Sequence, residues 1–145
     1  MNEINRHVSA AIFDSDLIAT RVCLGAAEAL WAIILWWPGE TFHRDIYGAM
    51  AHVMHEDAWG LVFALLAVTQ LTIVALGHFG VAWARYFAGL DFVVWAFACG
   101  SIFMAEHPPS GVLAGNLTLM LAAGWVWLRP VLLWHWYRKA RRDVE

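Results

Sequence analysis

The chain has 145 residues, of which 61% are apolar and only 14% are charged, and its mean hydropathy is +0.58. A soluble domain of this length needs more polar surface, so the composition excludes an ordinary water-soluble fold and points to a membrane protein. The formal net charge is only −3, and the only basic cluster is the short C-terminal tail, so nothing suggests nucleic-acid binding.

Residues 1–16 form a polar N-terminal segment. Ile4, Val8, Ala11 and Ile12 have helical spacing within it. Glu3, Asp14 and Asp16 precede the first apolar run, and no short apolar core stands ahead of a small-residue cleavage site. A cleavable signal peptide is therefore not expected. "DSDL" at Asp14 to Leu17 has the composition of a helix N-cap.

The first predicted span covers 17–37 and contains "RVCLGAAEALWAIILWW", with Glu28 inside an otherwise apolar run. "WWPGE" ends it. The connection 38–57 places Ile46, Met50, Val53 and Met54 at i, i+4, i+7 and i+8. That spacing predicts a short amphipathic interfacial helix. His52, His55 and Glu56 lie in the same connection, in "HVMHED". Two imidazoles and a carboxylate are donors for Zn²⁺ or a similar metal ion, although the motif is not HExxH and further ligands must come from elsewhere. Solvated interfacial histidines are the simpler interpretation.

The second span covers 58–76, carries Gln70, and ends at "GHFG". The third covers 85–105. It repeats the Arg21, Gly25, Trp31, Ala32 series as Arg85, Gly89, Trp95, Ala96, with its acid, Asp91, displaced by one position. The echo predicts two helical hairpins related as a parallel internal repeat. Chance similarity in a biased composition is the competing explanation. "EHPPSG" leads to the fourth span, 112–134, which carries Arg129 just before Pro130. A proline there frees a carbonyl and favours a kink. The bundle as a whole covers 17–136, and residues 137–145 form a basic cytoplasmic tail.

The fold class expected is thus an all-α integral membrane protein with four transmembrane helices. Arg6, Arg21, Arg85, Arg129, Arg138, Lys139, Arg141 and Arg142 fall on one side of it, and Arg44 alone on the other. By the positive-inside rule both termini are cytoplasmic in a multi-pass protein of the inner membrane. The basic tail behind an aromatic belt faces the anionic lipids of the inner leaflet. Trp36, Trp37, Trp59, Trp134 and Trp136 stand at span ends, where interfaces hold Trp. Cys23 and Cys99 fall at different depths, too far apart for a disulfide, and read as small buried apolar residues.

Glu28, Gln70, Asp91 and Arg129 all fall toward the cytoplasmic part of the spans, each acid roughly 10 Å inside the boundary. Arg21, Gly25, Glu28 and Ala32 share one helical stripe. Ala84, Ala88, Asp91 and Ala98 share another. Small residues beside each acid permit close helix approach. An isolated carboxylate facing lipid costs several kcal/mol, so these groups are expected to face one another as an intramembrane polar layer. Two roles fit: a neutralised knot that fixes the bundle, or a proton- or cation-responsive site.

His78 and His135 end the second and fourth spans and supply the donor pair of a b-type haem. No Ser/His/Asp set, phosphate loop or catalytic cysteine context occurs, so no enzymatic activity is expected. No cofactor is expected outside the haem alternative. With nearly all its mass in the bundle, the chain is expected to act within the bilayer, self-associated, in membrane permeation. In being small, multispanning and basic at the C-terminus, it is similar in outline to phage holins. The alternative is a non-catalytic adaptor, accessory subunit or exclusion factor acting on a membrane-protein partner. A small membrane cytochrome is the third reading.

Overall fold

The computed structural model describes residues 15–38, 42, 47–76, 81–105 and 111–142. Five helices account for nearly all of them: α1 (Ser15–Trp36), α2 (Gly48–Val53), α3 (Glu56–Leu76), α4 (Val81–Ala105) and α5 (Gly111–Arg142). The described residues contain no strand. Four of the helices are long and apolar enough to cross a membrane, through Leu17–Trp36, Glu56–Leu76, Tyr86–Ala105 and Val112–Arg129. That is the organisation of a multi-pass membrane protein. The N-terminal series from Ile4 to Ile12, and the cap residue Asp14, lie outside the described residues.

Local chemistry sets the helix ends. At the end of α1 the Trp37 amide donates to the Ile34 carbonyl at 3.2 Å, tightening the last turn, and Pro38 then denies the helix a further donor. α3 opens with Glu56 and Asp57 in its first turn, where carboxylates suit the positive end of the helix dipole. α5 runs on through Pro130 to Arg142. The basic stretch expected as a separate tail therefore begins as a continuation of the fourth helix.

The helices pack as a ring. α1 lies along α3 and α4 lies along α5 in the two most extensive contacts; α3 meets α4, and α5 meets α1, more lightly. Between α4 and α5 the packing is reciprocal. A Cβ on Gly89 would stand 3.2 Å from the Trp127 indole, and one on Gly124 would stand 3.2 Å from the Phe92 ring. Phe92 and Trp127 stack with centroids 5.9 Å apart. Each helix thus offers a missing side chain to the other's aromatic ring.

The short helix α2 packs on α4. Met50 is fully buried, while Val53 is exposed. Trp59 anchors the turn by donating from Nε1 to the Met50 carbonyl at 3.0 Å. The expected apolar series is therefore split between the bundle interior and its surroundings. Trp36 and Trp37 are exposed at the end of α1, whereas Trp59 faces inward at 4% exposure and stacks on Phe97 at 5.5 Å. The side chains of Trp134 and Trp136 lie outside the described residues. Neither cysteine is in a disulfide. Cys99 is buried, but Cys23, expected to be buried, is on the exposed side of α1, because it falls off the stripe that carries Arg21 and Gly25.

The distribution of polarity is inverted relative to a water-soluble bundle. Leu30, Ile33, Leu65, Val68, Val93 and Leu121 are among many large apolar side chains facing outward. Arg21, Glu28, Gln70, Asp91, Ser101 and Asn116 face inward. Apolar exteriors suit hydrocarbon, and polar groups placed in that solvent must be paired inside the protein.

Candidate functional site

The candidate site is a polar column inside the bundle. Its construction begins with helical periodicity. Arg21 and Glu28 are separated by two turns on α1, so they share a face about 10 Å apart along the axis. Gly25 lies between them on that face. A Cβ there would come within 3.3 Å of Leu71 Cγ and 3.4 Å of both the Ala67 carbonyl and Gln70 Cβ. The glycine therefore lets α3 approach α1 closely enough for Gln70 to reach Arg21. On α4, Ala84, Ala88, Asp91, Trp95 and Ala98 are all buried and turn the acid and the indole to the same interior.

The contacts form a directed chain. Arg21 Nη1 donates to Gln70 Oε1 at 2.7 Å. Gln70 Nε2 donates to Asp91 Oδ2 at 2.7 Å. Trp95 Nε1 donates to Glu28 Oε1 at 3.3 Å. The carboxyl groups of Glu28 and Asp91 neighbour each other, close to the Trp95 indole. A longer contact, 3.4 Å, runs from Arg21 Nη2 to the backbone carbonyl of Ala84. Relative exposures of 2% for Arg21, 0% for Glu28, 1% for Gln70 and 0% for Asp91 exclude these groups from the surface.

Chemistry dictates the orientation of Gln70. Its neighbours are a pure donor, the guanidinium, and an acceptor, the carboxyl oxygen of Asp91. Turning the amide over would set NH₂ against guanidinium and C=O against carboxylate, losing both bonds. Gln70 is thus the neutral link through which the charge of Arg21 is passed toward Asp91. Three polar atoms of the column have no hydrogen-bond partner within the protein: Arg21 Nε, Glu28 Oε2 and Asp91 Oδ1.

Aromatic rings close one end of the column. Trp31 stacks on Phe63 at 5.7 Å and meets Trp95 edge-on at 6.2 Å, and Phe63 lies 5.2 Å from Trp95. Tyr47 joins from the far side, 6.1 Å from Trp31. The other end, at Arg21, lies toward the N-terminus of α1.

No protein-family model matches the chain, and no match is found to a curated protein or to a solved structure.

Of the predicted polar layer, the structure brings Glu28, Gln70 and Asp91 together. Arg129 is half-buried on α5, with its guanidinium 5.7 Å from the Trp125 ring of its own helix. The cation bonded to Gln70 is instead Arg21, which the positive-inside count alone puts among the orienting charges at the membrane boundary. Its position at i−7 from Glu28 and i−4 from Gly25 was the available signal. The role of Trp95 as a donor was also missed, because a Trp in an apolar run signals packing before it signals hydrogen bonding.

The histidines are placed differently. His52 and His55 are exposed. His55 Nδ1 lies 3.5 Å from Asp57 Oδ2 at the surface. Glu56 accepts the Phe42 amide at 3.4 Å. Among the described residues no three His, Cys, Asp or Glu side chains come together as a metal-binding group. His52 is on the outer side of α2, and His55 falls in the break before α3, so their spacing does not make a shared face. For the haem pair, His135 is exposed on α5, and His78 lies outside the described residues.

Proposed function

We propose that this protein acts within the bilayer in membrane permeation, as a non-catalytic, self-associating inner-membrane protein whose working element is the buried polar column. The observation that carries this reading is the concentration of Arg21, Glu28, Gln70 and Asp91 in the bundle interior. Ionisable groups at such depth are costly, and they mark pathways for ions or protons more often than they serve packing. The ring cluster of Trp31, Phe63 and Trp95 would be the closed gate of that pathway.

The finer architecture belongs to the same proposal. α1 with α3, and α4 with α5, form two hairpins in parallel repeat. Gly25 and Glu28 on α1 correspond to Gly89 and Asp91 on α4, and each glycine packs against the span that follows its own helix. Both termini are cytoplasmic, α2 caps the outer end at the interface, and the basic end of α5 meets anionic lipid. With Arg21 assigned to the column, the remaining basic residues still outnumber Arg44 on the cytoplasmic side.

The test is reconstitution of the purified full chain into lipid vesicles, with ionic and proton flux followed under an imposed gradient. Flux above protein-free vesicles, together with depolarisation of cells expressing the protein, is the expected result. A sealed vesicle at every pH and voltage overturns it. A second reading, an adaptor for another membrane protein, is favoured by the closure of the column within one chain and by the broad apolar exterior. Its signature is a different protein recovered in fixed stoichiometry from mild detergent.

A further inference from the structure

The column's charge count does not balance with all its groups in their ordinary ionised states. Arg21 brings one fixed positive charge. Glu28 and Asp91 bring two carboxyl groups, both wholly buried. With both ionised, the column carries a net negative charge in a low-dielectric interior. With both protonated it carries a net positive one. One proton makes it neutral.

The hydrogen-bond count leads to the same place independently. Of the four carboxyl oxygens, Glu28 Oε1 accepts from Trp95 and Asp91 Oδ2 accepts from Gln70. Glu28 Oε2 and Asp91 Oδ1 are buried and have no donor from the protein. Two neighbouring carboxyl groups satisfy one another only if one of them carries a proton, since two carboxylates offer acceptors alone.

Among the described residues few groups flank the pair, and the cation of α5, Arg129, is half-buried with its guanidinium 5.7 Å from the Trp125 ring. α1 contributes Arg21. α3 contributes Gln70, which is neutral. α4 contributes Trp95 beside Asp91 itself. The buried residues of α5 are Asn116, Ala123, Gly124 and Val126, none of which titrates. On the far side of the rings Tyr47 is held between Trp31 and Phe42.

We propose that the column is a single-proton site: one proton is held between the carboxyl groups of Glu28 and Asp91, with Arg21 as its fixed countercharge and Gln70 as the link between them. This names the species that the proposed permeation function moves or senses, and rests on that function only for its transport half. The binding step is simple: a carboxylate takes up H⁺ and becomes a donor to its neighbour. Loss of the proton leaves an uncompensated negative charge beneath the aromatic gate, and the column then gains by admitting water or parting the helices. Exchange proceeds from the Arg21 end, because the rings of Trp31, Phe63 and Trp95 cover the other.

Infrared spectroscopy of the full chain in lipid nanodiscs tests the proton count without requiring any flux. At neutral pH the parent is expected to show the carbonyl band of one protonated carboxyl per chain, shifting in D₂O. Glu28→Gln and Asp91→Asn each leave one carboxylate facing one guanidinium, so both are expected to lose the band. Arg21→Gln removes the countercharge, so its band is expected to double. Carbon-13 labelling of aspartate or of glutamate carboxyls in the unsubstituted chain supplies the same assignment if a variant does not fold. A folded parent with no such band, or a band unchanged in both single-acid variants, overturns the proposal. So does a missing band accompanied by stability that depends on sodium, which would assign a metal cation instead. If vesicles prove sealed while the band behaves as described, the proton site stands and the permeation reading falls.

Discussion

Gln70 joins a cation to an acid, and a neutral amide is the side chain that serves both. Gln70→Leu strands Arg21 Nη1 and Asp91 Oδ2, each of which loses a 2.7 Å bond in the bundle interior. The expected cost is about 1–3 kcal/mol for each stranded group, and toward the upper end because both partners are ionisable. Gln70→Glu retains the bond to Arg21 but sets a second carboxyl against Asp91, so it should fall between parent and Gln70→Leu. Thermal unfolding in mild detergent gives the ranking, and a Leu variant as stable as the parent would show that the column contributes nothing to the fold. At Glu28 the contrast is with Leu as well. Glu28→Gln keeps an acceptor for Trp95 Nε1 and should assemble normally, whereas Glu28→Leu strands the indole and Asp91 together. Arg21→Met removes the column's fixed positive charge and is expected to cost about 3–5 kcal/mol, as for other broken buried pairs. Adding Asp91→Asn should restore part of that loss, a recovery that a purely steric role for Arg21 would not produce.

Among the elements, α2 is held by little backbone of its own. It is six residues long, and its attachment is the Trp59 bond to the Met50 carbonyl together with the burial of Met50. Trp59→Phe keeps an aromatic ring beside Phe97 but removes the donor. It should cost about 0.5–1.5 kcal/mol and speed amide exchange across Gly48–Val53, leaving α1 and α3 protected; equal exchange in both proteins would remove Trp59 as the anchor. At the α1–α3 contact, Gly25→Leu should force the helices apart and destabilise by about 1–3 kcal/mol. The same elements mark what sequence alone can disclose. Four apolar runs of membrane length were legible because hydrocarbon thickness fixes length and composition together. The stripes of Arg21, Gly25, Glu28 and of Ala84, Ala88, Asp91 were legible because helical periodicity decides which residues share a face. Which cation completes the column was not, because Arg21 and Arg129 stand at comparable distances from the ends of the predicted spans 17–37 and 112–134, and only the three-dimensional packing distinguishes them. The inward turn of Trp59 was hidden for a similar reason: a Trp at a span end suits an interface or a bundle end equally well. His52 and His55 looked like a donor pair in sequence, but the end of α2 at Val53 separates their directions.

For the whole molecule, the decisive quantity is where its charge sits relative to the bilayer. The polar column is internal, so the exterior of the bundle gives no clue to direction, and orientation must come from the flanking Lys and Arg. In the expected four-span arrangement those residues fall on the side of the termini and of the connection between α3 and α4, with Arg44 alone on the opposite side. Moving such clusters across a membrane is unfavourable, and the expected arrangement has both termini inside. Single cysteines introduced into a background lacking Cys23 and Cys99 test this directly. Gly48→Cys and Pro108→Cys should react with an impermeant maleimide in intact cells. Asn5→Cys and Arg141→Cys should react only after permeabilisation. The same orientation places the Arg21 end of the column toward the cytoplasm and the aromatic rings toward the outside. A pH step imposed inside sealed vesicles of known orientation should then change the proton occupancy of the Glu28–Asp91 pair faster than the same step imposed outside. Labelling of Arg141→Cys from outside intact cells would remove the four-span arrangement with internal termini. Equal rates from both faces would show that the rings do not close the column.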